Sequence, residues 1–212
     1  MRPVQYSRAS QAIVDAFEAR SGDQQVGSYW GDDEASEVRK EIKDHYISEQ
    51  KRRCCYCTVL IPTDHNGVWD GEHVISRHGA ARFMFKPENL AISCKDCNGA
   101  KREKEVRRNT ARVSFPDKSE HYLIVHPHFD EYPEHIRWVG NVVYPTSRKG
   151  IATVAMCDLH RYGLNEAGAS VVPTHHAMDH QIGVLLNPQA DLTEMKLAIA
   201  AAKSYLETVS QE

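Results

Sequence analysis

The 212-residue sequence has no apolar run of about 18 residues, so it offers no transmembrane helix. Its first residues, Met1-Arg2-Pro3-Val4-Gln5-Tyr6, lack the apolar core of a secretory leader, and the expectation is a cytosolic protein. Positive charge is not in excess. The formal net charge is −3, so bulk charge does not point to a nucleic-acid partner, and any such surface must be local. There is no internal repeat, no low-complexity tract and no convincing linker. The second half of the chain is therefore expected to pack on the first.

Apolar residues make up 41% and charged residues 26%, which fits a soluble globular chain of one large or two small domains. Cysteines number only six, and four of them fall in two CxxC pairs, Cys54/Cys57 and Cys94/Cys97. In a reducing compartment that spacing points to metal rather than disulfides. Two thiolates three positions apart can reach one tetrahedral Zn²⁺, and two such pairs fill all four positions. The site is thus structural. Thirty-six residues separate Cys57 from Cys94, enough for a strand, a loop and a second strand. Cys55 and Cys157 remain as buried or half-exposed thiols. Cys55 competes with Cys54 for the ligand role, but Cys55/Cys57 is the poorer CxC match.

Between and beside the pairs lie Gly71-Glu72-His73, Asn89 and Asn98. A histidine is mostly neutral at pH 7 and can accept a proton. A glutamate is a hard oxygen ligand suited to Mg²⁺ or Mn²⁺. Neighbours in a regular strand face opposite ways, so Glu72 and His73 can serve one centre only if the strand ends or kinks there. Gly71 eases such a kink. Asn98 follows Cys97 directly, so a metal knuckle would fix its position.

Helices are expected over 8–20, with Ile13, Val14 and Phe17 inward, and from Asp32-Asp33-Glu34 to Gln50, with Val38, Ile42, Tyr46 and Ile47 inward. Lys51-Arg52-Arg53 serves either the helix C-terminus or phosphate binding. Thr58–Ile61 is β-rich, Asp64–Gly67 is a turn, and Val68-Trp69 leads a strand into Glu72–Ile75. A helical turn follows at Pro87–Leu90. A helix from Asp96 or Cys97 to about Arg108 would carry Lys101, Arg102, Lys104, Arg107 and Arg108 as a candidate phosphate-binding face. Further on, strands are expected at His121–Val125 and Gly140–Pro145. Helices are expected over 151–166, centred on Cys157 to Leu164, over 175–187, and over Asp191–Val209. The last of these would turn Leu192, Met195, Ile199, Ala202, Leu206 and Val209 to one side.

CxYC, Glu-His, Asn-Leu and CxxCN with a nearby lysine, in that order over about 50 residues, resemble the zinc-stapled HNH endonucleases. The resemblance implies an α+β chain. A ββα-metal core over 54–110 would hold a structural zinc on its four cysteines, with N-terminal helices over 1–53 and a mixed, mainly helical region over 111–212. It further implies His73 as general base, Asn89 as the residue that orients it, and Glu72 and Asn98 as ligands of a catalytic Mg²⁺ or Mn²⁺. The implied reaction is hydrolysis of nucleic acid, DNA foremost, to 5′-phosphate and 3′-hydroxyl ends. The acid is Glu where the family more often has Asp, and the last ligand is Asn, a weaker donor, where it more often has His.

A looser similarity spans most of the chain. Met1-Arg2-Pro3, the stretch His126 to Ile136 (HPHFDEYPEHI) and Ser147-Arg148-Lys149-Gly150 look like the HNH subunit of Septu and retron-associated anti-phage systems. That implies an ATPase partner of the ABC/SMC kind, with the C-terminal region as its docking surface or simply as intramolecular core. A stand-alone restriction or homing-type nuclease and a non-catalytic zinc module that binds nucleic acid stay open. No separate helix-turn-helix is visible for reading base sequence. His126, His128 and His135, with Asp130 and Glu131, form either a second metal site or a structural turn. His175, His176 and His180 form either a metal pair at helical spacing or a polar helix face.

Overall fold

The structure is a computed structural model that describes residues 1–139, 142–162, 181–185, 187 and 189–209. It is a mixed α+β fold with two small antiparallel sheets among these residues.

Helix α1 (Arg8–Glu18) starts where the Ser7 hydroxyl accepts the Ser10 N–H. Val14 and Phe17 are buried and Ile13 packs against them. Helix α2 (Ser36–Glu49) buries Val38, Ile42, Tyr46 and Ile47, the stripe that period 3.6 requires. Glu41 of α2 accepts from Ser7 N at 2.6 Å and from the Ser7 hydroxyl at 2.8 Å, which locks the two helices. Past α2 the chain turns sharply, with Lys51 and Arg52 at positive φ (52° and 58°). Two of the three cations there are occupied: Arg52 pairs with Asp64 and Arg53 donates to the Thr58 carbonyl.

Strand β1 (Trp69–His73) pairs antiparallel with β2 (Leu90–Cys94), in the register Trp69↔Cys94 to His73↔Leu90. Helix α3 (Lys95–Lys101) follows β2 without a gap and packs on both strands. The C-terminal half adds α4 (Tyr132–His135), β3 (Ile136–Val139), β4 (Val142–Pro145), α5 (Arg148–Met156) and a helix over Leu192–Val209. One cluster of buried side chains runs from Val4 to Leu159, so the two ends of this span share a core. No helix among the described residues is long and apolar enough to cross a membrane.

Several expectations need correction. Thr58–Ile61 forms no strand beyond an isolated Arg53↔Leu60 bridge, because Thr58 takes φ 59° to close the knuckle. Helix α3 stops at Lys101, not Arg108. Arg102 adopts φ 48°, and the chain then runs out to bury Val106 and bridge Arg107 to Tyr122. His121–Val125 is no strand; a 3₁₀ turn occupies Ser119–His121. β3 was unforeseen. Of the helix expected over 151–166, α5 begins earlier, at Arg148, and is over before Asp158, whose φ is 50°; Arg161 and Tyr162 are helical again, and 163–166 lie outside the described residues. The last helix is present as expected, but of its expected side Met195 and Ala202 are half-buried while Leu192 and Ile199 are exposed; Ala198 is buried, and the side chains of Leu206 and Val209 lie outside the described residues. Of the helix expected over 175–187, residues 181–185 are helical; His175, His176 and His180 lie outside the described residues.

The two C-terminal motifs pack on each other. Lys149 pairs with buried Asp130, Ser147 Oγ lies 2.7 Å from His135 Nδ1, and a Cβ at Gly150 would collide with the His135 carbonyl. His126, His128 and His135 do not converge on a metal site. Among the described residues the four cysteines are the one group of three or more potential ligands. His126 instead stacks on Phe129 at 4.3 Å, and His128 Nε2 meets the Leu90 carbonyl at 2.8 Å.

Burial alone would raise the Asp130 carboxyl. Hydrogen bonds from Lys149, Ser119 and His126 N outweigh it and hold the carboxyl below its ordinary range. A carboxyl lowered in the folded state stabilises fully above its unfolded value, near ~3.9, and the gain is lost as pH falls through the folded value. The urea midpoint of the wild type should therefore drop as pH is lowered below that unfolded value. In Asp130→Asn the midpoint should start lower at neutral pH and depend less steeply on acid.

A candidate metal centre and the cavity beside it

The first knuckle is tied to the second before any metal is considered. Cys55 N donates to the Ile92 carbonyl, and Cys97 N to Cys94 Sγ at 3.4 Å. All four thiol sulfurs, those of Cys54, Cys57, Cys94 and Cys97, are buried and lie within 4.8 Å of one another. Cys57 Sγ and Cys94 Sγ are 3.9 Å apart. A tetrahedron with Zn–S near ~2.3 Å has edges of about 3.8 Å, so the donor set and its spacing fit a structural Zn²⁺. Cys55 and Cys157 fall outside this set.

The cluster has outer partners that no sequence motif announces. Arg161 Nη2 donates to Cys97 Sγ at 3.1 Å, and the Tyr162 hydroxyl to Cys57 Sγ at 3.1 Å. Tyr132 OH reaches the Tyr56 carbonyl at 2.8 Å, and Trp138 Nε1 in turn donates to Tyr132 OH. A guanidinium suits the negative charge that four thiolates bring to one dication.

On the hairpin, Asp70 and Glu72 share one strand face by the two-residue period. Glu72 is 1% exposed. Its Oε1 meets Lys101 Nζ at 2.7 Å and accepts from Tyr56 OH at 2.8 Å. Lys101, equally buried, also donates to the His73 carbonyl at 3.0 Å. It is therefore not a surface phosphate contact. Nor is Arg107, buried and paired with Glu105, while Lys104 donates to the Met156 carbonyl. Arg108 is exposed but stands beyond α3. The basic helix face expected over 101–108 does not exist, because the helix ends before it.

β1 ends at His73, and Glu72 and His73 both line an open cavity of about 880 Å³ together with Asn98 and Asp70. His73 is 6% exposed, and its Nε2 is buried without a hydrogen-bond partner. The Trp30 ring meets the imidazole edge-on at 4.4 Å. Burial foremost, then the Arg77 and Lys101 cations, push the imidazole down to about 3, so it is uncharged at neutral pH. Asn89 does not touch the ring. Its Oδ1 accepts from Ile75 N at 2.8 Å and its Nδ2 donates to the Ile75 and Phe83 carbonyls, while its own carbonyl takes Val74 N. It fixes the backbone just past His73. Asn98 Nδ2 donates to Asp70 Oδ2 at 2.9 Å, and Lys95 reaches Asp70 Oδ1 at 3.2 Å.

Four cations also line the cavity. Arg39, Lys43 and Arg77 are held by backbone carbonyls of Trp30, Asn66 and Gly27 respectively, and Arg102 stands on the rim past α3. Of these only Arg102 was expected. Asp70 was not expected; the signal that marks it is its place two residues before Glu72, on the same strand face. Trp30, Arg39, Lys43 and Arg77 come from loops and helices with no motif to mark them.

Comparison of the chain with protein-family models, with characterised proteins and with solved structures gives no match.

Arg161→Ala should leave the chain folded but loosen the metal. Zinc transfer from the loaded protein to a chromogenic chelator should speed up by roughly 10–100-fold, the range typical of lost outer-sphere partners. Unchanged transfer would mean the guanidinium contact is incidental.

Proposed function

We propose that this chain is a metal-dependent phosphodiester hydrolase of the HNH type, an endonuclease acting on nucleic acid with DNA as the first candidate. One observation carries the reading. A buried imidazole with an unpartnered nitrogen, His73, lines the same cavity as the Asn98 amide and three carboxylates, Asp70, Glu72 and Glu103, and fixed cations line it too. The order of elements, an antiparallel hairpin followed by a short helix beside a four-cysteine cluster, supports the same reading.

In this reading His73 takes the proton of the attacking water. Asn89 acts on the loop backbone and so sets where the imidazole sits. Arg39, Lys43, Arg77 and Arg102 draw in and neutralise the phosphate backbone. Asn98 and a hairpin carboxylate present the oxygen donors that Mg²⁺ or Mn²⁺ prefers. A bound divalent cation would supply charge neutralisation at the phosphate and at the departing oxygen. The wider sequence motifs extend the proposal to an effector of anti-phage defence that acts in the cytoplasm with an ATPase partner; their support is the sequence resemblance.

Zinc-loaded protein should nick supercoiled plasmid with Mg²⁺ or Mn²⁺ and stop in EDTA, with single-stranded DNA and tRNA as parallel substrates. His73→Ala should keep its zinc and its melting curve and lose at least about 10²-fold in rate. Full activity in that variant would refute His73 as the base. Binding that survives EDTA without any cleavage would make the chain a zinc-dependent binder instead.

A further inference from the structure

The family resemblance pairs Glu72 with Asn98 as holders of the divalent cation, but the packing separates their roles. Glu72 is spent internally. Its carboxylate, 1% exposed, faces an ammonium at 2.7 Å and a phenol at 2.8 Å, both on Oε1. A dication drawn to that carboxylate would stand against Lys101 inside the protein, where charges are least screened. Asp70, two residues earlier on the same strand face, is differently placed. Its side chain is 28% exposed and lines the cavity; Asn98 Nδ2 donates to its Oδ2 at 2.9 Å, and the amide turned over would set its oxygen there instead. An amide offers a cation its oxygen, and a carboxylate beside it completes a hard donor pair. The Lys95 contact on Asp70 is a solvent-exposed pair, 64% exposed on the lysine side, and such pairs contribute little.

A carboxylate beside an amide is not by itself a site. The second observation is His73, 94% buried by its 6% exposure, lining the same cavity with Nε2 unpartnered.

We propose that Asp70 and Asn98 hold the divalent cation, and that Glu72 is a positioning residue. This rests on the nuclease reading and identifies its metal site. Glu72 acts through Lys101. The ammonium bridges the Glu72 carboxylate to the His73 carbonyl, so that α3 and the end of β1 stay in fixed relation.

The test uses the zinc-loaded full chain, with Mn²⁺ as probe, free Mn²⁺ measured by electron paramagnetic resonance, and plasmid nicking measured in parallel. Asp70→Asn, a partly exposed change, should keep zinc content and melting behaviour and lose Mn²⁺ affinity on the order of tenfold or more. Glu72→Gln alone strands a buried ammonium and so risks the fold. The double variant Glu72→Gln with Lys101→Met removes both charges, and should bind Mn²⁺ within a few-fold of wild type. Wild-type Mn²⁺ affinity in Asp70→Asn overturns the proposal. So does a folded, zinc-loaded double variant that loses Mn²⁺ as far as Asp70→Asn does. If the double variant does not fold, Asp70→Asn decides alone. Mn²⁺ binding lost in Asp70→Asn, with no cleavage by wild type, supports the site and removes the nuclease reading. Cleavage by wild type with Mn²⁺ affinity intact in Asp70→Asn does the reverse. No Mn²⁺ binding by wild type overturns the proposed site.

Discussion

Four thiols drawn to one point constrain this molecule more than any other contact. Cys54 and Cys57 leave a tight turn after α2, while Cys94 and Cys97 straddle the junction of β2 and α3. Closing them on one ion fixes the start and the end of the hairpin segment together. Asn98, one residue past the last cysteine, is thereby placed opposite Asp70. Arg161 and Tyr162 extend the constraint to the C-terminal half, because they hold the same sulfurs from the far side. Loss of the metal would therefore loosen three parts of the chain at once.

Beneath the cavity the decisive contact is the Glu72–Lys101 pair. A fully buried ion pair contributes little net stability over an apolar pair of the same shape, yet removing one partner costs about 3–5 kcal/mol. Such pairs fix geometry more than they stabilise. Here the ammonium also takes the His73 carbonyl, so the pair sets the height of the strand end against α3. The imidazole above it is buried, edge-on to Trp30 and kept uncharged by its surroundings. His126 Nε2 is likewise buried without a partner, so what sets His73 apart is its place on the cavity wall with Asp70 and Asn98.

Much of this was legible where local chemistry decides the outcome. The stripe Val38, Ile42, Tyr46 and Ile47 marked α2 because period alone sets which face is buried. The CxxC spacing marked the metal cluster because two thiolates must reach one point. Failures came where distant partners decide. Arg102 ends α3 because Val106 and Arg107 have places elsewhere, and nothing within 101–108 announces that. On the last helix the packed side is centred on Ala198 with Met195 and Ala202 half-buried beside it, so the apolar stripe is met only in part, and Leu192 and Ile199 stay exposed. Arg161 lies 64 residues from Cys97 and carries no motif. Lys101 was read by its charge, and its burial could be known only from the carboxylate it meets.

Gly71 carries no chemistry, yet it sets the shape of the cavity wall. A single methyl there would lie 2.8 Å from Trp30 Cζ2, closer than carbon atoms tolerate. The indole leans on the hairpin through a gap one hydrogen wide, and the imidazole leans on the indole. The orientation of the His73 ring is thus governed by a position whose only property is to take up no room.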